Sequence, residues 1–511
     1  MFCGKIQVSH EVYLLSLRHM NIRLSLSGDL GLVELPHSAG RLFQQYLVDA
    51  YSKVESQRLE WVLRNQNKLR VESLSGLMDY LSSANDVSSA ASLANGPTAL
   101  NDATPRIENP RLTDSAASAS DPQSRPASLI GKPVILPATF GGSPRALHQS
   151  YLDSMCLVAR FGKPDFLITI TANPAWKEVT ANLRPGETAS DRPDLVARVF
   201  HSKLKALLQL LTKDGFLGHA VAWTWVVEFQ KRGLPHAHIL LIVRAEDKPT
   251  TPEHIDALVS AEIPDSVSHP HLFRLVETHM VHGPCGHLNP ACPCMQDGIC
   301  TKNYPKSFVP ETRVKEGGYP QYRRRETSPL RTVKNGLLDT RSIVPHNILL
   351  LETFECHINV EVCTSIRAVK YLYKYTYKGP DRACLERSID EVAQFVDSRY
   401  CGAPEAVWRL LAFPLQSRSH HVERLPVHLP LSKNVTFEVG SEADAVSSAL
   451  LRRSKLEAWF TLNSNAAKLD ARTASLVRSL RYPDIPRYFL WDTKSCSWIK
   501  RQRTSKESVS H

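Results

Sequence analysis

The sequence lacks any apolar run long enough to cross a bilayer as a helix, so no membrane partner is expected. It has no GxxxxGK(S/T) phosphate loop, so ATP-driven work is not expected of this chain. It has no HExxH signature, which argues against a zinc hydrolase built on one helix. Its opening, MFCGKIQVSHEVYLLSLRHM, scatters charges and histidines where a signal peptide would carry an apolar stretch, and a soluble intracellular protein is expected. Acidic residues are the minority, 51 against 62 Lys and Arg, for a net charge of +11 and a pI near 9.1. That balance suits a polyanion such as nucleic acid.

What is present is a long, largely globular chain. At 511 residues with 42 % hydrophobic content it can build two or three domains with a sizeable core. It has 11 cysteines, an odd number, and four of them crowd between Cys285 and Cys300. In a reducing compartment such crowding points to metal before disulfide.

Apolar residues at helical spacing (Leu42, Tyr46, Leu47, Ala50, Val54) predict two or three helices in an N-terminal region, 1–81. From 82 to 128 the composition shifts to Ala, Ser, Asn, Asp and Pro, as in a low-complexity linker. A central domain is expected over 129–400. Within it DFLITITA reads as a strand and RPDLVARVFHSKLKALLQLL as a helix with Pro193 in its first turn. HAVAWTWVVEFQKRGLPHAHILLIVR then reads as two strands joined by a tight turn at Gly233. The order strand, helix, hairpin predicts an α+β fold with a mostly antiparallel sheet. Residues 401–511 read as a C-terminal accessory α/β region with a helix and short aromatic strands.

Four constellations carry chemistry. His236 and His238 flank Ala237 on an apolar strand, so both rings share a face. Glu228 and Gln230 share a face on the preceding strand. Two imidazoles and a carboxylate or amide can hold a divalent cation and leave room for a phosphate oxygen; equally, the pair can simply sit at a strand edge. Cys285, Cys292, Cys294 and Cys300 form a Cys-rich insertion over 282–308, with His282 and His287 nearby. They suit a tetrahedral zinc site or a loop of free thiols, and the spacing does not decide which four ligands are used. AVKYLYKYTYKG sets Tyr371, Tyr373, Tyr375 and Tyr377 at alternate positions. On a strand all four face one way; on a helix Tyr371 pairs with Tyr375 and Tyr373 with Tyr377. A phenol attacks a phosphodiester when a cation neutralises the phosphate, and a neighbouring lysine such as Lys374 lowers the phenol's pKa or holds the flanking phosphate. Finally Trp223, Trp225, Arg324 in YRRRE, Arg367, Lys370 and Lys378 suit a single-strand groove or, taken singly, an ordinary core and a solvated surface.

Taken in order, GRLFQQYLVDAY, GSPRALHQSYLDSM, GKPDFLITITANPAW, EFQKRGLPHAHILL, HGPCG, PCMQDGICTKNYPKSF, HINVEVC and KYLYKYTYKGPDRA resemble the replication-initiator-like region of Helitron transposons, the Helitron helicase-like N-terminal domain. The likeness spans roughly 40–498, apart from the low-complexity insert. It implies membership of the HUH endonucleases, with a five-stranded antiparallel sheet flanked by helices and a zinc-binding-like insertion. It implies Mg²⁺ or Mn²⁺ on His236 and His238, with Glu228 as third ligand and Gln230 as the alternative. It places the nucleophiles at Tyr371 and Tyr375 on a helix, acting on single-stranded DNA at transposon ends and targets. Attack leaves a 5′-phosphotyrosine and a free 3′-hydroxyl, as rolling-circle transfer requires. Action in the nucleus follows from that substrate.

The departures are in the first thirty or so residues, the insert near 90–120, and the C-terminal helicase of full-length family members, which has no counterpart here. A helicase supplied by another chain is therefore an expected partner. The rival expectation is a catalytically silent transposon remnant that acts as a zinc-containing DNA-binding module.

Overall fold

The computed structural model describes residues 39–66, 69–81, 132–133, 140, 143–229, 233–314, 320–326, 331–333, 336–364, 401–502 and 508–510. They fall into two compact units, one within Met1–Glu60, Leu136–Glu423 and Lys506–His511, the other within Trp61–Ile135 and Arg424–Ser505. This division differs from the expected boundaries. Strand Leu69–Ser73, expected in the N-terminal region, pairs antiparallel with Asn434–Glu438 from the accessory region, so the two share one unit. Residues 401–423 belong instead with the central domain.

The first unit is built on a five-stranded sheet. Its strands are β1 (Phe166–Thr171), β2 (Ala220–Phe229), β3 (Pro235–Val243), β4 (Ile358–Val362) and β5 (Gln416–Arg418), in the order β4-β1-β3-β2-β5. Every pairing in it is antiparallel. The fold is α+β, as the order of elements predicts.

Alternation along each strand sorts the side chains onto two faces. Phe166, Ile168 and Ile170 of β1, Trp225 and Val227 of β2, Ala237, Ile239 and Leu241 of β3, and Ile358, Val360 and Val362 of β4 all enter one core. Helix α3 (Pro193–Thr212) covers that face. Its Val196, Phe200, Leu204, Leu207 and Leu211 recur at three- and four-residue spacing and are all buried. Each such side chain contributes about 1.5–3 kcal/mol relative to exposure. Pro193 occupies the first turn, as expected. The helix Ala403–Leu410 adds Trp408, fully buried between Phe200, Phe229 and Phe413. Helix α1 (Arg41–Gln66) contributes Phe43, Leu47 and Tyr51 to the same core.

The opposite face is polar at one end and apolar at the other. Leu167 and Leu240, directly paired, meet Val158 of helix α2 (Pro144–Phe161) and Cys363. Polar contacts fix α2 there. Ser150 accepts a 2.5 Å bond from Gln416, and Asp153 pairs with Arg418 at 2.5 Å. The helix begins cleanly because Ser143 caps it, accepting from the Ala146 N–H, with Pro144 next. Further along the same face lie Thr169, Thr171, Glu228, His236 and His238. Gly233 turns β2 into β3 at φ +85°, and a Cβ there would stand 3.3 Å from Pro404.

The second unit holds the Leu69–Ser73 sheet and a separate core of Leu456, Tyr482, Ile485, Phe489 and Trp498. The expected helix and aromatic hairpin are there: Lys455–Ser464, then Phe489–Asp492 against Ser497–Lys500. Among the described residues no helix is long and apolar enough to cross a membrane.

Candidate functional site

The hairpin of β2 and β3 brings its polar groups to one face. Glu228 lies directly across the ladder from His236, and Val226 across from His238. On the other side, Thr171 faces His236 and Thr169 faces His238. The two imidazoles are 6.2 Å apart, centre to centre. His238 Nε2 is 3.7 Å from a Glu228 oxygen, and its Nδ1 is 3.0 Å from Thr169 Oγ1.

His236 is 4 % exposed, yet neither ring nitrogen has a hydrogen-bond partner. Glu228 Oε1 is also buried and unpartnered. Buried polar atoms left in this state cost about 1–3 kcal/mol each. Burial, with His238 and His357 close by, pushes the His236 imidazole down to about 4. It is therefore neutral at pH 7, the form that offers a lone pair to a cation. An unpartnered neutral imidazole beside an unpartnered carboxyl oxygen fits a divalent cation in chemical type.

The insertion beyond the helix Pro270–His279 folds into a knuckle. Two short strands, Met295–Gln296 and Ile299–Cys300, turn through Asp297 and Gly298, both at positive φ. That is the two-residue turn for which Asp-Gly is suited. The turn brings Cys294 and Cys300 together. Gly283, at φ +106°, lets the chain double back so that a Cβ there would lie 2.9 Å from the Cys285 nitrogen. His282 stacks on Tyr304 at 4.1 Å, with its Nε2 3.4 Å from Cys300 Sγ.

The result is a group of four, His282, Cys285, Cys294 and Cys300, whose ligand atoms all lie within 4.8 Å of one another. Three of the four expected thiols are in it. His282 takes the place expected for Cys292, whose sulfur sits just outside, 3.5 Å from that of Cys294. Burial and neighbouring sulfurs push the Cys285 and Cys294 thiols up. At Cys300 burial acts the same way, but hydrogen bonds from the Tyr304 and Lys302 backbone and from the Cys294 and Cys285 thiols together outweigh it and hold the thiol down. One imidazole and three crowded thiols form a closed set that can hold zinc, and a cation is what lets such thiols ionise together.

One expected DNA contact is corrected. Arg324 is 4 % exposed and donates to the backbone carbonyls of Ala261 at 3.3 Å and Thr340 at 2.7 Å. Its guanidinium ties loops together and cannot reach a strand in solvent. Its neighbours are engaged as well: Arg323 with Asp256 at 3.1 Å, and Arg325 with Glu262 at 2.7 Å. Burial pushes the Glu262 carboxyl up, but the hydrogen bonds and charge of Arg325, with the charge of Arg323, together outweigh it and hold the carboxyl down to about 2. Trp225 is likewise a core residue, 6 % exposed.

Tyr371, Tyr375, Lys374, Arg367, Lys370, Lys378 and Gln230 lie outside the described residues. Sequence reasoning missed Thr169. The signal was available: in FLITIT the isoleucines face the core, so Thr169 and Thr171 must face the histidines.

No curated protein matches this chain. Residues 33–241 match the family model described as the Helitron helicase-like domain at the N-terminus; over that stretch, which ends just after the two histidines of β3, the chain is similar to that domain.

Proposed function

We propose that this chain nicks and transfers single-stranded DNA by metal-assisted tyrosine attack, as in rolling-circle transposition. The observation that carries the reading is the set of unpartnered buried atoms on the polar face, both His236 nitrogens and Glu228 Oε1, within a Helitron-like domain. A Mg²⁺ or Mn²⁺ ion bound by His236, His238 and Glu228 would neutralise and polarise the scissile phosphate. Tyr371 or Tyr375 supplies the phenol oxygen. A P–O bond to tyrosine forms as the P–O3′ bond breaks, and the 3′-oxygen leaves with a proton. The phosphotyrosine conserves the ester, so a second strand's 3′-hydroxyl can reverse the exchange without ATP. The knuckle, filled with zinc, serves as a structural support. A helicase from another chain and action in the nucleus belong to the same proposal.

The test is a covalent-adduct assay. Purified protein is incubated with labelled single-stranded oligonucleotides and Mn²⁺, then run on a denaturing gel. The expected label on the protein disappears with EDTA, with His236→Ala, and with the Tyr371→Phe/Tyr375→Phe double variant. DNA binding without any adduct across a broad oligonucleotide pool would replace this reading with the silent zinc-containing module.

A further inference from the structure

Thr169 and Thr171 are the same residue type on the same strand and face, opposite His238 and His236 respectively. Only one of them engages its histidine. Thr169 Oγ1 is 3.0 Å from His238 Nδ1, whereas both nitrogens of His236 lack a partner. The bond leaves His238 Nε2 on the Glu228 side, 3.7 Å from its oxygen. A ligating imidazole must present a lone pair on one nitrogen and carry its proton on the other, and a fixed acceptor for that proton sets the tautomer and the ring angle.

We propose that Thr169 is a positioning residue for divalent-cation binding: its hydroxyl accepts the Nδ1–H of His238 and thereby holds the Nε2 lone pair toward Glu228. The inference rests on the cation site of the proposed function. His236 has no such support, so its ring is free to settle on the ion. One imidazole is preset and the other adjusts. A methyl in place of the hydroxyl cannot accept, and the His238 ring then loses the partner that defines its tautomer.

The experiment is a Mn²⁺ titration of the full chain carrying Tyr371→Phe/Tyr375→Phe, read by calorimetry and by the loss of free Mn²⁺ resonance. Thr169→Val keeps the β-branched shape that a strand favours. It is expected to weaken Mn²⁺ binding about 10- to 100-fold, the usual effect of removing a group that orients a ligand. Thr169→Ser, which keeps the acceptor, should restore it, and Thr171→Val should leave it unchanged. Equal affinity in Thr169→Val and its parent overturns the inference, as does an equal loss in Thr171→Val. A second measurement needs no variant at position 169. Histidine ¹⁵N spectra of the same chain with Mg²⁺ should show the His238 proton on Nδ1, and a proton on Nε2 overturns the proposal. The two levels separate cleanly. If the parent binds Mn²⁺ and His236→Ala does not, a silent Thr169→Val sinks only the positioning role. If the parent takes up no Mn²⁺, the cation site itself falls and this inference with it.

Discussion

The knuckle at 282–300 and the hairpin at 228–238 both gather imidazoles, but they do so by different means. In the knuckle, loop geometry carries four ligand atoms to within 4.8 Å of one another. In the hairpin, a rigid ladder fixes where the residues stand, and the rings remain 6.2 Å apart. A closed set of three sulfurs and one nitrogen has no position left for a substrate, which is the mark of a structural zinc site. Two imidazoles and a carboxyl group on one sheet face, three ligands rather than four, would leave positions on an ion for phosphate oxygens. Under the proposed function, metal at the first would hold a fold, and the fold at the second would hold metal.

The sharpest way to break that contrast is to remove one ligand of the knuckle. Cys300→Ala should abolish bound zinc, from about one ion per chain to nearly none, because structural sites of this kind need all four ligands. Free energy of zinc binding in small sites, on the order of 10 kcal/mol, is folding free energy there, so this is the largest effect expected. Metal analysis and thermal unfolding read it. Cys292→Ser, beside the set but outside it, should keep its zinc. Zinc retained in Cys300→Ala would mean that Cys292, whose sulfur lies 3.5 Å from that of Cys294, steps in as a reserve ligand.

The hairpin should respond in the opposite sense. His236→Leu removes two buried unpartnered nitrogens and keeps a side chain of comparable bulk. In metal-free protein the variant is expected to be more stable by about 1 kcal/mol, since an orphaned buried polar group costs that much or more. The same change should abolish adduct formation. Denaturant unfolding with EDTA present checks the first expectation and the gel assay the second. A clear loss of stability would mean that His236 is a packed structural residue, and the contrast between the two centres would collapse.

How much of this was legible beforehand depended on whether the determining signal was local. Strand alternation is local, so β1, β2, β3 and the turn at Gly233 were readable, as was the sharing of a face by His236 and His238. Helix α3 was readable from its Leu and Val spacing and from Pro193. The knuckle was readable as a candidate metal site by density, but the set of groups that it gathers was not. His282 enters through its stack on Tyr304, twenty-two residues on, and through a backbone bond from its nitrogen to Ser342, neither of which spacing encodes. The unit boundaries were hidden for the same reason, since Leu69–Ser73 finds its partner at Asn434–Glu438. Arg324 misled because three successive arginines look like a solvated run, and only the fold decides which of them turns inward.

That last residue should have the smallest effect on metal and DNA chemistry, and it sharpens the contrast between groups that hold the fold and groups that meet DNA. Arg324→Gln removes the charge and leaves a single amide where the planar fork served both the Ala261 and Thr340 carbonyls. A stability loss of about 1–2 kcal/mol is expected, in line with a disrupted buried bond to a charged group. The dependence of DNA affinity on salt should not change. A phosphate contact contributes close to one unit to the slope of log affinity against log salt, and its loss is measurable by fluorescence anisotropy across a salt series. An unaltered slope in the folded variant confirms that this guanidinium works inside the protein. A slope shallower by about one unit would return Arg324 to the nucleic-acid surface and require its loop to open when DNA binds.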